Sequence, residues 1–392
     1  MAVRAALRQV FSDLTLPRAA KMMKARDLEG LPTSEPGCAE TIAAGLQWLK
    51  RAQDFSPSQD GGFARDFSLV TGWAASYPET SGYIVPTLIA EADIGHDPDL
   101  RVRARRCLDW LTAIQFSEGG FQGGRIDQTP RVPVTFNTGQ ILLGLAAGAA
   151  KLDGAKYLEP MRRAAIWLRD SQDADGCWRK HPTPFSGPGE KAYETHVSWG
   201  LFEAARVAPD EGFGEAGLRQ VRWALTQQRA NGWFDANCLE EPEAPLTHTI
   251  GYVLRGIVEA HLWSKDATLL EAALRAADGV LPAIGSDGYL PGRLDSEWQG
   301  AVDWVCLTGS TQIAHSFFLL ARLTGRADLA EKAKALNAYV RRTVALAGDA
   351  DTIGGVKGSF PVHGEYGRFQ YLNWACKFLI DSCREELSFA AR

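Results

Sequence analysis

A glycine turn that returns every 56 to 58 residues constrains this chain more than any other feature. The clearest copies are Trp48…Gln53…Gly61-Gly62-Phe63, Trp110…Gln115…Gly119-Gly120-Phe121, Trp167…Gln172…Gly176-Cys177-Trp178 and Trp223…Gln228…Gly232-Trp233-Phe234. A fifth copy, without its Trp and Gln, ends at Gly288-Tyr289, and a looser sixth ends near Gly354-Gly355. From Gly62 through Gly120, Gly176 and Gly232 to Gly288 the intervals are 58, 56, 56 and 56 residues. So steady a period means one folding unit used repeatedly.

Each unit reads as a helical hairpin. In the third copy Met161, Ala164, Ala165, Trp167 and Leu168 recur at helical spacing, Gly176 breaks the pattern, and the spacing resumes from Thr195 to Arg206. One hairpin cannot bury both of its apolar faces, whereas six packed side by side can close into a ring. The expected fold is therefore all-α, an (α/α)6 toroid with six inner helices inside six outer ones, spanning residues 37–392 as a single domain. Residues 1–36 stand apart as an N-terminal basic amphipathic helix or strap.

The segment from Ala165 to Trp178, with Trp167, Gln172, Gly176 and Trp178 in order, resembles the QW repeat of squalene and terpene cyclases. The resemblance covers roughly residues 38 to 390 and is one of scaffold. It implies the α/α toroid shared by terpene cyclases, protein prenyltransferase β subunits, lanthionine cyclases and many glycan lyases, epimerases and hydrolases. Because that scaffold hosts several reactions, chemistry has to be read from the site. The cyclase resemblance fails at the catalytic acid: no Asp-x-Asp-Asp string occurs, and Asp173-Ala174-Asp175-Gly176 is the repeat's own turn.

Composition narrows the partners. A formal net charge of −5 with no basic stripe on the repeats argues against a nucleic-acid surface. Seven cysteines at irregular spacing, with no C-x-x-C, read as reduced thiols in a cytoplasmic protein. No apolar run is long enough to span a membrane, and no secretory signal is evident. Residues 1–26 nevertheless set Arg4, Arg8, Arg18, Lys21, Lys24 and Arg26 against the single acid Asp13. Such a helix could touch anionic lipid at the inner face of a membrane, or lie as a strap across the outside of the ring.

Function is expected where the inner helices begin. Their first turns carry Glu79-Thr80-Ser81, Asn137-Thr138, Glu194-Thr195-His196, Thr247-His248-Thr249, Thr308-Gly309-Ser310 and Tyr371-Leu372-Asn373. In a ring these clusters converge at one mouth, where free helical N–H groups favour an anionic or hydroxyl-rich ligand. N-capping accounts for Thr, Ser and Asn there, but not for Glu79, Glu194, His196 and His248. The loops feeding the mouth add Trp73 and Tyr77, then Arg125, Asp127 and Arg131, then His181 and Phe185, and finally Arg293, Asp295, Glu297, Trp298, Asp303 and Trp304. Aromatic walls with a few placed polar groups suit a sugar, whose C–H faces stack on rings while its hydroxyls need hydrogen bonds.

The reading is a carbohydrate-modifying enzyme, of the uronate C-5 epimerase or lyase type, that removes a proton α to a carboxylate. His248 and Glu79 are the candidate bases and Tyr77, Tyr83 and Tyr252 the candidate donors. Asn137, Arg255 or Arg293 would bind the acid group, while Glu194 or His196 would orient a base or hydroxyl. Thr138, Trp73, Glu297, Trp298, Asp303 and Trp304 complete the expected substrate contacts. A hydrolase would instead pair Glu79 with Glu194, Glu297 or Asp303. An isoprenoid cyclase or prenyltransferase, and a toroid that binds glycan or lipid without transforming it, are the alternatives. No cofactor is expected, and no metal either: Cys238, His248 and Cys306 lie in separate repeats with no local ligand pair.

Overall fold

The computed structural model describes residues 15–184 and 186–390. Phe185, residues 391–392 and residues 1–14, which carry Arg4 and Arg8 of the basic N-terminal segment, lie outside them. A first helix, α1 (Arg18–Leu28), precedes six hairpins: α2 (Cys38–Asp54) with α3 (Pro78–Gly95), α4 (Pro98–Ile114) with α5 (Thr135–Lys151), α6 (Gly154–Ser171) with α7 (Thr195–Val207), α8 (Phe213–Leu225) with α9 (Thr247–Ser264), α10 (Ala267–Val280) with α11 (Leu307–Thr324), and α12 (Ala327–Arg342) with α13 (Asn373–Ala390). The second helix of each pair lies inside, each inner helix packs on the next, and α13 returns to α2 and α3. The result is a closed (α/α)6 toroid.

The repeat residues make this closure. In each unit a glycine with positive φ lies against a main-chain carbonyl of the following outer helix: Gly61 on Arg106, Gly119 on Arg163, Gly176 on Arg219, Gly232 on Arg275, Gly288 on Ala335 and, joining last to first, Gly354 on Ala44. A Cβ on Gly354 would sit 2.1 Å from the Ala44 oxygen, so only glycine fits both the left-handed backbone and the contact. Gln115 Nε2 donates to Gly119 O at 2.8 Å and to Pro160 O at 3.0 Å, tying its own turn to the next outer helix. Gln172 does the same with Gly176 and Ala216. The repeat tryptophan of one unit covers the glycine of the unit before it, as Trp110 does at Gly62 and Trp167 at Gly120. Trp48 covers Gly355 and donates to Asp351 O at 2.8 Å, so the loose sixth copy still seals the ring.

Connections at the two ends differ in length. Inner helices pass to the next outer helix through two to five residues, whereas the outer-to-inner loops, such as 55–77 and 343–372, are long and crowd one mouth. Short strands knit those loops together. β1 (Asp66–Ser68) pairs antiparallel with β2 (Gly72–Trp73) and with β5 (Gln370–Leu372), and β3 (Val305–Cys306) pairs with β4 (Ser359–Phe360). The α1 helix is fastened to the sixth loop: the buried Asp27 carboxylate accepts from Lys357 Nζ at 2.6 Å and from the Val362 amide at 2.8 Å. Among the described residues no helix is long and apolar enough to cross a membrane.

Candidate active site

The mouth is held by the first turns of the inner helices. None of the five inner helices α3, α5, α7, α9 and α11 has a side-chain N-cap. On α3 and α5 a first-turn hydroxyl is spent on the glycine turn instead. Ser81 Oγ accepts from the Phe63 amide at 2.9 Å, and Thr138 Oγ1 accepts from the Phe121 amide at 3.0 Å. These two turns are thereby pinned to the inner helices that follow them, beside Glu79 and Asn137.

A cavity of about 210 Å³ opens there, lined by Arg65, Tyr77, Glu79, Tyr83, Asn137, His248, Tyr252, Tyr366 and Trp374 among others. Ligand pockets for drug-sized molecules run from about 300 to 1,000 Å³, so this one suits a single sugar ring better than a chain. Of the larger grooves, the one of 700 Å³ beside Glu297 and Trp298 lies on the outer face, and in the one of 720 Å³ between α1 and the ring the buried Asp27 and Lys357 are spent on each other.

Glu79 and His248 dominate the cavity's chemistry. The Glu79 carboxylate accepts from Asn137 Nδ2 at 2.8 Å and from the Tyr77 hydroxyl at 3.0 Å. Burial pushes its pKa up to about 7, against the opposing pull of the Tyr77 hydrogen bond and the Arg65 charge. His248 Nδ1 lies 2.8 Å from Gln312 Oε1. An amide oxygen only accepts, so Nδ1 carries the proton and Nε2 is left as the acceptor in the cavity. Burial holds the imidazole down to about 4 although the Gln312 bond opposes it, which keeps the ring neutral. Glu79 stands on α3 and His248 on α9, the first and fourth of six inner helices, hence on opposite walls.

Aromatic rings and one cation surround this pair. Tyr252 lies between two imidazoles, 4.3 Å from His248 and 4.4 Å from His196, centroid to centroid. Tyr366 stands 5.2 Å from His248, and its hydroxyl accepts from Trp374 Nε1 at 2.8 Å. Arg65 is the cation that lines the cavity, its guanidinium 5.1 Å from the Trp374 ring and 2.6 Å from Asp66. Burial raises the pKa of Tyr77, Tyr83 and Tyr252, so all three keep their protons.

Of the residues expected at the mouth from sequence, Glu79, Tyr77, Tyr83, Asn137, His248 and Tyr252 line the cavity. Thr80 lines it as well, and the remaining candidates lie elsewhere. Thr138 is occupied in its backbone bonds. His196 sits beneath Tyr252 with Nδ1 on Gln140 Oε1 at 2.6 Å, and Glu194 is buried outside the lining, its pKa raised by burial to about 8. Trp73 packs on Trp48 and donates to Asp351 where the first and sixth loops meet. Arg255 is two turns deeper, paired with Glu259 at 2.8 Å and 4.1 Å from the Trp199 ring. Arg293 donates to Ala244 O, Trp304 packs with Leu246 and Cys306, and Asp303 is exposed. Glu297 and Trp298 belong to the outer groove. The loop arginines Arg125 and Arg131 bond within their own loop, to Asp127 and Gln122. Among the described residues no group of three or more His, Cys, Asp and Glu is arranged to hold a metal ion.

Arg65, Tyr366, Trp374 and the two glutamines behind the histidines are absent from the sequence reading. Trp374 follows directly on the Tyr371-Leu372-Asn373 turn and could have been taken with it. Arg65 and Tyr366 reach the cavity through the β1–β5 pairing and the sixth loop, which leave no local signal.

The sequence matches no protein-family model, and no curated protein is significantly similar to it. Solved structures are similar in fold. An unsaturated glucuronyl hydrolase specific for heparin superposes with a TM-score of 0.71 at 15% identity, over 91% of this chain and 98% of its own. The unsaturated glucuronyl hydrolase of Bacillus sp. GL1 gives 0.70 at 16% identity, over 88% and 96%. Cellobiose 2-epimerase from Bacillus thermoamylovorans B4167 gives 0.71 at 10% identity, over 88% and 97%. These likenesses define the chain as an (α/α)6 toroid of near-complete extent. Similarity to terpenoid cyclases holds at the coarser level of the toroid.

Proposed function

We propose that this protein is a carbohydrate-modifying enzyme that moves a proton at a single sugar ring held between Glu79 and His248. The observation that carries the reading is a carboxyl of pKa about 7 and a neutral imidazole of pKa about 4 on opposite walls of one small aromatic cavity. Groups whose environments drive their pKa values apart are suited to act as acid and base. Here the imidazole accepts through Nε2 while the protonated carboxyl donates, and the roles reverse in the opposite direction. A ring between them loses a proton from one face and gains one on the other, which is the requirement of epimerisation. Elimination uses the same first step. Arg65, beside the aromatic wall, is placed to neutralise a carboxylate α to the abstracted proton, the role assigned from sequence to Arg255 or Arg293. The similar solved structures, all described as sugar-acting enzymes, support the substrate class.

A hydrolase reading has one specific support, the glucuronyl hydrolases among those structures. Glu79 is the carboxyl that lines the cavity, with Glu194 set behind it, which weakens a mechanism built on two flanking carboxylates. Proton NMR in D2O with uronate-terminated and neutral oligosaccharides separates the readings. Deuterium at C-5 with the glycosidic bond intact indicates epimerisation, a new vinylic signal indicates elimination, and a released sugar without C-5 exchange indicates hydrolysis. With Glu79 protonated and His248 neutral as the active form, the rate should be bell-shaped, falling below about pH 4 and above about pH 7. Failure to turn over any member of the panel overturns the proposal.

A further inference from the structure

The ring closes where its first outer helix, α2, packs on its last inner helix, α13, and cysteines line that seam. Gly45 of α2 lies against Cys376 of α13, whose thiol donates to Gly45 O at 3.5 Å, and a Cβ at Gly45 would stand 3.3 Å from Cys376 Sγ. Seven residues back along α2 is Cys38, and seven residues forward along α13 is Cys383. Seven residues is about two helical turns, so in an antiparallel pair these cysteines lie level with each other. Arg341 of α12 shows that they do: its Nη1 is 3.1 Å from Cys38 Sγ and 3.9 Å from Cys383 Sγ. The guanidinium is itself held by Glu35 at 3.1 Å and Glu386 at 2.7 Å. Both thiols are free and buried, Cys38 at 9% exposure and Cys383 at 0%.

We propose that Cys38 and Cys383 form a dithiol–disulfide couple that latches the ring, with a small organic disulfide as oxidant. Cys38, the more exposed, loses its proton to solvent and attacks one sulfur of the small disulfide. That S–S bond breaks, a mixed disulfide forms on Cys38, and the first thiolate leaves. The Cys383 sulfur, its proton passing to solvent, then attacks the Cys38 sulfur and expels the second thiolate. Two protein thiols give up two electrons and two protons, and the small disulfide departs as two thiols. The bridge closes a loop of nearly the whole chain, the case in which restricting the unfolded ensemble is greatest. It lies two to three turns along α13 from Trp374, away from the cavity.

The test incubates the reduced full-length chain with hydroxyethyl disulfide, blocks residual thiols by alkylation, and maps peptides by mass spectrometry without reduction. The expected result is a Cys38–Cys383 cross-linked peptide, a chain lighter by two hydrogens, and a melting temperature raised by several degrees that dithiothreitol restores. Cys383→Ser should stop at the mixed disulfide on Cys38 with no rise in melting temperature. Cys38→Ser should leave Cys383 unmodified. Recovery of both cysteines in alkylated, unbridged form from the wild-type chain, or a persistent Cys38 adduct there, overturns the proposal.

Discussion

The inner barrel carries buried polar groups in two layers, and the layers treat them differently. Deep in the barrel the named charges have partners. Lys377 Nζ meets Asp381 at 2.7 Å, Thr87 donates to the same carboxylate at 2.7 Å, Arg255 meets Glu259 at 2.8 Å, and Arg384 grips Glu91 through two bonds. Around and beneath the cavity, outside its lining, the pairing is incomplete. His196 Nε2, Glu194 Oε2, Gln140 Nε2 and Gln312 Nε2 are buried without a hydrogen-bond partner among the described residues. An unpaired buried polar group costs about 1 to 3 kcal/mol, and such atoms also occur away from the cavity, as at Gln220 Nε2 and Arg322 Nε. The deep layer, with its charges paired, reads as the structural floor of the barrel, and the cavity above it, where Glu79 and His248 face each other, as the proposed site.

Substitutions sharpen the contrast. Glu79→Gln and His248→Ala should each lower turnover by about 10²- to 10⁴-fold, the usual contribution of a positioned acid or base, while thermal denaturation stays close to wild type. Retention of full turnover in both would remove the mouth from the mechanism. Asp381→Asn should do the reverse, because it strands the buried Lys377 ammonium: a loss of about 3 to 5 kcal/mol in chemical denaturation, with turnover per folded molecule kept. An unchanged denaturation midpoint would show that the deep layer is not held by its ion pairs.

Glu194 gives a subtler probe. Its pKa is raised by burial to about 8, so the folded chain holds that proton where the unfolded chain has released it. Between about pH 4.5 and 8 the folded state binds more protons, and stability falls as pH rises through that window. Melting temperatures across it should decline less steeply in Glu194→Gln than in wild type. Parallel profiles would contradict the burial of an ionisable Glu194. The smallest effect belongs to the outer groove, where Glu297→Gln should leave turnover within about twofold, the behaviour of surface changes away from a site.

Much of this molecule was legible because its architecture is periodic. The glycine turns announced the hairpins, and the structure shows why they persist: each one lies against a neighbouring backbone that a side chain would strike, down to Gly354 at the seam. Glu79, Asn137 and His248 were legible for the same reason, since equivalent positions on parallel inner helices must converge. Depth was not. His196 and Arg255 lie on inner helices but rotate or descend below the cavity, and first-turn spacing alone does not show which face a residue presents. Trp298 and Trp304 looked like sugar platforms and are instead packed, Trp298 under Gly279 and Trp304 under Gly292. Arg65 depends on the pairing of β1 with the distant β5, and Tyr366 on the fold of the sixth loop, held by Ser359; neither is encoded in a helical repeat.

We propose one sugar ring between Glu79 and His248, on opposite walls of the closed barrel. A crystal structure of Glu79→Gln soaked with a uronate-terminated disaccharide tests it most directly. The expected density is the terminal ring between position 79 and His248 Nε2, with its carboxylate toward Arg65. Density for the sugar in the groove at Glu297 and Trp298, with the axial cavity holding only water, would contradict it.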